Sequence, residues 1–561
     1  MTVQGAKLDY NVPQNQAGLL TPDYLASSWC VWRVNPFSYW TVMQLAKLGV
    51  FSYITVDDPE LRVDKTRYGT LYSNISNPNR FRLIQDILDY WGVKGKGLHY
   101  EEYLSDGILS PRENLDAEFH LLTTPDYKLH DQSIKYLRKL YTRVDGLPYD
   151  NVGGWIFDVF PISSSVAYVT LFNRRAARLQ NQWIWDVMES LIESRRVHLK
   201  DNMWPAFPTR LDLPIATAAL ITSRFINHFM RQGDLPESVR NVQNIVEGSA
   251  ARIDPLPTIK DPKIELWRVD TVKNKMSRAI ITNSNLRMPE ELLKRVSISP
   301  ILRENLHQEI FGAHQQLQQL KMTFFGTGHL GSWIAMMTSL LRIPDITFID
   351  YDKIEHRNIA GAAFRFVDQN KKKTEQLAYV MHDILRQDLH ISDSDGLGRT
   401  LHGLTPTFRF INRKLTKRTQ TKTIASIKKS NVIVVSTDSW NSRYDFTLLL
   451  RRLMKTESLG DPCWVIDCRS LERLGQILVV NVRNKKAFNQ YTHPLEASSV
   501  DTTPLPCDRA NVIDLPIHIA RFVTSLLWNH QLTGNTLPPA SQDSINEYYI
   551  NPYGYTMVKM T

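Results

Sequence analysis

The sequence lacks several features that would settle its class at once. No apolar run approaches the ~18–20 residues that a helix needs to cross a bilayer, so no membrane span is expected. The opening stretch, MTVQGAKLDYNVPQNQ, has no apolar core, which speaks against a secretory leader. Cysteine is scarce. Cys30, Cys463, Cys468 and Cys507 form no Cys-x-x-Cys pair, which excludes a dense disulfide framework and points to a reduced, cytoplasmic setting. The formal charge is +10, but the basic runs NKKK, TKRTQTKTIASIKK and RNKK carry no interleaved aromatics in a nucleic-acid motif. A solvated basic surface or an acidic partner accounts for them, and nucleic acid is not expected.

What is present is a globular composition. Of the 561 residues, 43% are hydrophobic and 22% charged, and that length calls for more than one core. The chain also repeats itself. VWRVNPFSYWTVMQLAKLGVFSYITVDDPEL, from Val31, resembles FFGTGHLGSWIAMMTSLLRIPDITFIDYDKI, from Phe324. Without a gap this places Trp40 on Trp333 and Asp57 on Asp350. Each stretch reads as an apolar strand, a tight connection, a helix and a second strand. A later pair, LDLPIATAALITSRFINHFMRQGDLP from Leu211 and IDLPIHIARFVTSLLWNHQLTGNTLP from Ile513, shares Asp-Leu-Pro-Ile, a serine, Asn-His and a final Leu-Pro. Strands alternating with helices imply βαβ units and a mainly parallel sheet. The expectation is two copies of one α/β domain: residues 1–275, a polar linker at 276–300, and residues 301–561.

The second copy carries Gly326, Gly328 and Gly331 at Gly-x-Gly-x-x-Gly spacing, between an expected strand (Lys321 to Phe325) and a helix from about His329. In that context the first glycine allows the sharp turn. The second admits a phosphate to the backbone, and the third lets helix and strand pack closely. The helix N-terminus adds free N–H groups and a positive dipole end. Asp350 ends the next strand nineteen positions beyond Gly331, where a carboxylate reaches a ribose hydroxyl. That fits NAD as well as ATP. Asp352 and Asn358 follow, either as ligand contacts or as turn and cap residues. Lys373 opens a helix after a lysine run. A buried strand, Asn431 to Ser436, leads to Asp438 and Arg443, and Asp438 is placed to hold Mg²⁺.

Taken together, Gly-x-Gly-x-x-Gly, Asp-x-Asp with a following Asn, a helix-opening Lys, and Ser-Thr-Asp with an Arg five residues on resemble the ThiF/MoeB/ubiquitin-activating enzyme family. Gly475-Gln476 in LERLGQILVV and the helix after LPCDRANVIDLP add to the resemblance, which covers roughly residues 303–535. It implies two tandem Rossmann-like ThiF-type domains with mainly parallel sheets in a pseudo-dimeric arrangement. It also implies ATP and Mg²⁺. Gly326, Gly328, Gly331, Ser332, Asp350, Asp352 and Asn358 would bind the nucleotide and Asp438 the metal. Lys373 and Arg443 would stabilise negative charge on the phosphates. The substrate would be the C-terminal carboxylate of a ubiquitin-like protein or peptide, adenylated and then passed to a cysteine, for which Cys507 is the candidate, or to a downstream carrier or conjugating protein. The paired zinc cysteines of many family members are absent, so no zinc is expected. The Arg-Gln that follows the family's Asn is also missing. Arg357 and Arg365 are stand-ins, and Arg303 or His307 matches an arginine that precedes the glycine loop in the family.

The first copy reads RVNPFSYW where the second has its glycine loop, and DVFPISSS is taken as its counterpart of STDSWNSR. By that pairing it has lost the glycines, the aspartate and the arginine. Three readings stand: an adenylating enzyme, a nucleotide- or protein-binding scaffold of the same fold, and an NAD- or FAD-linked oxidoreductase.

Overall fold

The computed structural model describes residues 27–57, 80–93, 99–102, 117–123, 127–142, 154–177, 181–196, 210, 212–229, 256–258 and 260–288 of the front half. In the back half it describes 317, 319–339, 341, 343–389, 407–414, 427, 429–456, 459–471, 474–498, 514–534, 536–550 and 557–560. These fall into two compact units.

The front unit runs β1 (Ser28–Trp32), α1 (Pro36–Lys47), β2 (Ser52–Asp57), α2 (Arg80–Trp91), β3 (His99–Glu102), β4 (Phe119–Leu122), α3 (Tyr127–Thr142), β5 (Trp155–Pro161), β6 (Val166–Asn173), α4 (Gln182–Arg196), α5 (Asp212–Phe229), β7 (Ile264–Asp270) and β8 (Lys275–Ile281). The sheet order is β3-β2-β1-β4-β5-β6-β7-β8. Ladders from β3 to β5 are parallel; those from β5 to β8 are antiparallel.

The back unit runs β9 (Lys321–Phe325), α6 (His329–Ser339), β10 (Asp345–Ile349), α7 (His356–Gly361), α8 (Lys373–Leu389), β11 (Thr407–Ile411), β12 (Val432–Val435), α9 (Trp440–Lys455), β13 (Trp464–Leu471), β14 (Leu474–Asn481), α10 (Lys485–Ser498), α11 (Asp514–Thr533), β15 (Asn546–Ile550) and β16 (Met557–Met560). Its sheet order, β11-β10-β9-β12-β13-β14-β15-β16, is that of the front unit strand for strand. The same three outer ladders are antiparallel. Both units are therefore α/β, with a parallel inner half and an antiparallel flank.

The inner strands are apolar on both faces, as burial under two helical layers requires. Met322, Phe324 and Phe325 of β9 and Val432 to Val435 of β12 are all buried. Helix α11 lies against α6, and α5 against α1. The repeat read from sequence matches element ends: β1 and β9 start and stop at equivalent residues, as do α1 and α6 at their N-termini. Matched details continue outward. Trp155 Nε1 donates to Pro257 O at 2.9 Å and Trp464 Nε1 to Pro538 O at 2.9 Å. Each indole also packs on a histidine of the long helix, His228 or His530.

Two sequence expectations shift. The stretch read as a linker, 276–300, supplies most of β8, which hydrogen-bonds to β7 along its length. A largely exposed edge strand reads in the sequence as a polar connection. The counterpart of the strand before STDSWNSR is β4, not β5. Phe119 to Leu122 pair with Trp29 to Trp32 in the register in which Val432 to Val435 pair with Met322 to Phe325. The front equivalent of STDSWNSR is thus TTPDYKLH, from Thr123.

Candidate functional site

The site forms at the carboxyl ends of β9, β10 and β12, where an open α/β sheet leaves a crevice. Gly326 leaves β9 with φ +93°, a conformation that an L side chain adopts at a cost. A Cβ at Gly326 would sit 2.9 Å from Thr437 N, so the glycine turn touches the backbone one residue before Asp438. Gly331 lets α6 close on that turn: a Cβ there would lie 2.2 Å from Gly326 O and 2.4 Å from Ser436 Oγ. Ser436 Oγ donates to Gly326 O at 2.8 Å. Gly328 differs. A Cβ on it would meet nothing within 4 Å, so it opens the first turn of α6 to the crevice.

Asp350 follows β10. Its Oδ2 accepts from Thr327 N (2.8 Å) and Thr327 Oγ1 (3.0 Å), and its Oδ1 accepts from Asp352 N (3.0 Å). The carboxylate is therefore bonded directly to the glycine loop. Asp352 pairs with Lys373 Nζ at 3.1 Å, at the first residue of α8. Lys372 Nζ donates to Tyr351 O at 2.7 Å. The Tyr351 phenol, nearly half exposed, is held above its ordinary pKa by Asp352 first, then by burial, Asp438 and Asp350, with Lys373 opposing. Asp350, Asp352, Asp438 and Lys373 thus share one electrostatic neighbourhood. Asp438 is exposed.

Other expected site residues are placed differently. Ser332 is buried; its Oγ donates to His329 O and accepts from Ala363 N, both at 3.0 Å, tying α6 to the segment after α7. Asn358 Oδ1 accepts from Glu355 N at 3.0 Å, the cap chemistry open to it from sequence. Arg365 spends its guanidinium on Asp368. Arg443 is 1% exposed. It pairs with Asp467 of β13 and donates to Thr437 O (2.5 Å) and Cys468 O (3.2 Å), beneath the loop that carries Asp438. Cys507, Arg303 and His307 lie outside the described residues. Cys463 and Cys468 are buried, and burial pushes both thiols up to about 12, which keeps them protonated and poor nucleophiles.

Sequence reasoning missed Asp467. Its Oδ2 accepts from Arg469 Nη2 at 2.8 Å and from Tyr491 OH at 3.2 Å while the same carboxylate holds Arg443. Arg469 also lies over the Trp440 ring. The available signal was a lone aspartate inside the apolar run CWVIDC, since an unpaired buried charge is too costly to persist.

The front unit shows what the crevice becomes without glycines. Arg33, at the Gly326 position, keeps a positive φ of 68°. Asn35, at the Gly328 position, turns its side chain onto the helix: Oδ1 accepts from Phe37 N (3.0 Å) and Ser38 N (3.3 Å). Ser38, at the Gly331 position, donates to Arg33 O at 2.9 Å. The helix end that is open in the back unit is capped from within in the front one.

A triphosphate with Mg²⁺ fits the residues of the back unit on these observations. Gly328 brings no side chain onto the helix end, and one carboxylate meets the loop at Thr327. A second, exposed carboxylate stands next to the Gly326 turn, and Mg²⁺ takes one or two carboxylates plus phosphate oxygens.

Residues 302–527 match the model of the ThiF family. Among solved structures, the selenomethionine form of PaaA is 14% identical, over 50% of this chain and 87% of PaaA, at a TM-score of 0.33. MccB of E. coli, solved with MccA-N7isoASN, is 12% identical, over 49% of this chain and 84% of MccB, at a TM-score of 0.31. No curated protein matches. Among the described residues no helix is long and apolar enough to cross a membrane.

Proposed function

We propose that the back unit binds ATP with Mg²⁺ and adenylates the C-terminal carboxylate of a ubiquitin-like protein or peptide. One observation carries the reading: the Gly326 turn lies against the backbone of Thr437 while Thr327 is bonded to Asp350. Phosphate loop, ribose-side carboxylate and metal-side carboxylate are thereby fastened to one another. The ribose would lie toward Asp350 and the phosphates over Gly328, at the N-terminus of α6. Mg²⁺ on Asp438 would supply charge neutralisation on the phosphates. A substrate carboxylate oxygen then bonds to the α-phosphorus, the α–β phosphoanhydride bond breaks, and pyrophosphate leaves. The protein contributes position and fixed charge rather than covalent chemistry. Transfer to Cys507 would form a thioester and release AMP; a downstream carrier or conjugating protein would take the acyl group next. Cys463 and Cys468 form no disulfide among the described residues, which accords with a reduced, cytoplasmic setting.

ATP–pyrophosphate exchange dependent on a tail-bearing protein tests this reading. Asp438→Ala should lower exchange at least 100-fold without lowering the melting temperature, because Asp438 is exposed. Wild-type exchange in Asp438→Ala would contradict the proposal. A second reading, a nucleotide-binding scaffold, draws on the engagement of both expected phosphate cations, Lys373 with Asp352 and Arg443 with Asp467. ATP binding without exchange for any tail would favour it.

A further inference from the structure

We propose that Arg443 and Asp467 are positioning residues that hold the Asp438 loop from beneath, and that Arg443 touches neither phosphate nor metal. The idea rests on the nucleotide reading for its effect on metal binding, but the anchoring itself does not.

The argument comes from comparing the two copies. Helices α3 and α9 each begin five residues after the strand they follow, and each carries its basic residue at the fourth helical position: His130 in α3, Arg443 in α9. The facing strands carry an aspartate at equivalent register. Leu122 pairs with Asp158 on β5, and Val435 with Asp467 on β13. In the front unit His130 Nε2 lies 2.9 Å from Asp158 Oδ1, both buried. In the back unit Arg443 pairs with Asp467, both buried.

The front copy has lost all three glycines and carries Pro125 where the back copy has Asp438. It nevertheless keeps a buried histidine–aspartate contact between this helix and this strand. A tie retained where the phosphate chemistry is gone serves the scaffold. The back copy adds reach: Arg443 donates to Thr437 O (2.5 Å) and Cys468 O (3.2 Å). A forked guanidinium can hold a carboxylate and a carbonyl at once, and here the carbonyl belongs to the residue before Asp438. Asp467 is itself fixed by Arg469 and Tyr491. The direction of Asp438 is thus set by a buried network.

The test uses the full chain with Arg443→His, which copies the front unit, Arg443→Lys, which keeps the charge but loses the fork, and Asp467→Asn. Amide exchange across residues 436–439 reads the anchoring without nucleotide: protection should fall at least 10-fold in each variant. ATP binding in EDTA should stay within about 3-fold of wild type. The Mn²⁺ concentration that half-saturates the ATP-bound protein should rise at least 10-fold. Arg443→His on an Asp438→Ala background should have no further effect on Mn²⁺ binding, because coupled residues are not additive. Unchanged loop protection overturns the proposal, even if the wild type proves to bind no nucleotide. A 10-fold loss of ATP affinity in EDTA also overturns it, since Arg443 would then be meeting phosphate directly. Unfolding of all three variants overturns it as well, because the pair would be serving stability alone.

Discussion

At the scale of single residues, the three glycines of the loop do three separate jobs, and substitution should separate them. Gly331→Ala pushes a methyl to 2.2 Å from Gly326 O and 2.4 Å from Ser436 Oγ, which forces α6 away from the turn. Overpacking of this kind costs about 1–3 kcal/mol, so the melting temperature should fall. Gly328→Ala enters open space, so melting should change little while ATP affinity falls at least 10-fold. Thermal unfolding and ATP titration of the two variants check this; equal melting losses would contradict it. The glycines and Asp350 were legible in the sequence because their spacing is itself the signal. Arg443 was legible as a residue but not as a contact. Five positions from Asp438 it reads as a crevice cation, and only the register of β13 reveals Asp467 beneath it. Ser332 and Asn358, expected from sequence to meet a nucleotide, turn their side chains to backbone groups.

At the scale of elements, the repeat was legible where strands are long and marked, in β1–α1–β2 and in α5 against α11. It failed at β4. That strand is four residues, FHLL, with no glycine or acid to align, while β5, WIFDVFP, looks more like the strand before Asp438. Spatial order, not similarity, identifies the counterpart. The long helix α5 has a pH consequence. His228 packs 4.2 Å from the Trp155 ring centroid, and burial, with Arg224 second, lowers its pKa to about 4. The unfolded chain takes up this proton near 6.5, before the folded one does. Stability from the neutral ring is therefore complete above about 6.5 and is lost as pH falls toward 4, on the order of 3 kcal/mol over that window. His228→Phe should flatten the acid limb of melting temperature between pH 7 and 4.5. An unchanged acid limb would contradict the assignment.

At the scale of the whole molecule, one topology occurs twice with opposite treatment of the same helix end. In the back unit Gly328 leaves open space at the N-terminus of α6, between a turn that lies against Thr437 and a threonine bonded to Asp350. In the front unit Asn35 and Ser38 satisfy that end from within. The sequence made the loss of glycines plain, but not that a side chain caps the helix end there, which depends on where Asn35 points. A chain of two like folds should therefore hold one nucleotide. The most direct test is a calorimetric titration of the full chain with ATP and Mg²⁺. One equivalent per chain is expected, still one in Asn35→Gly and none in Gly328→Val. Two equivalents, or undiminished binding in Gly328→Val, would contradict the account.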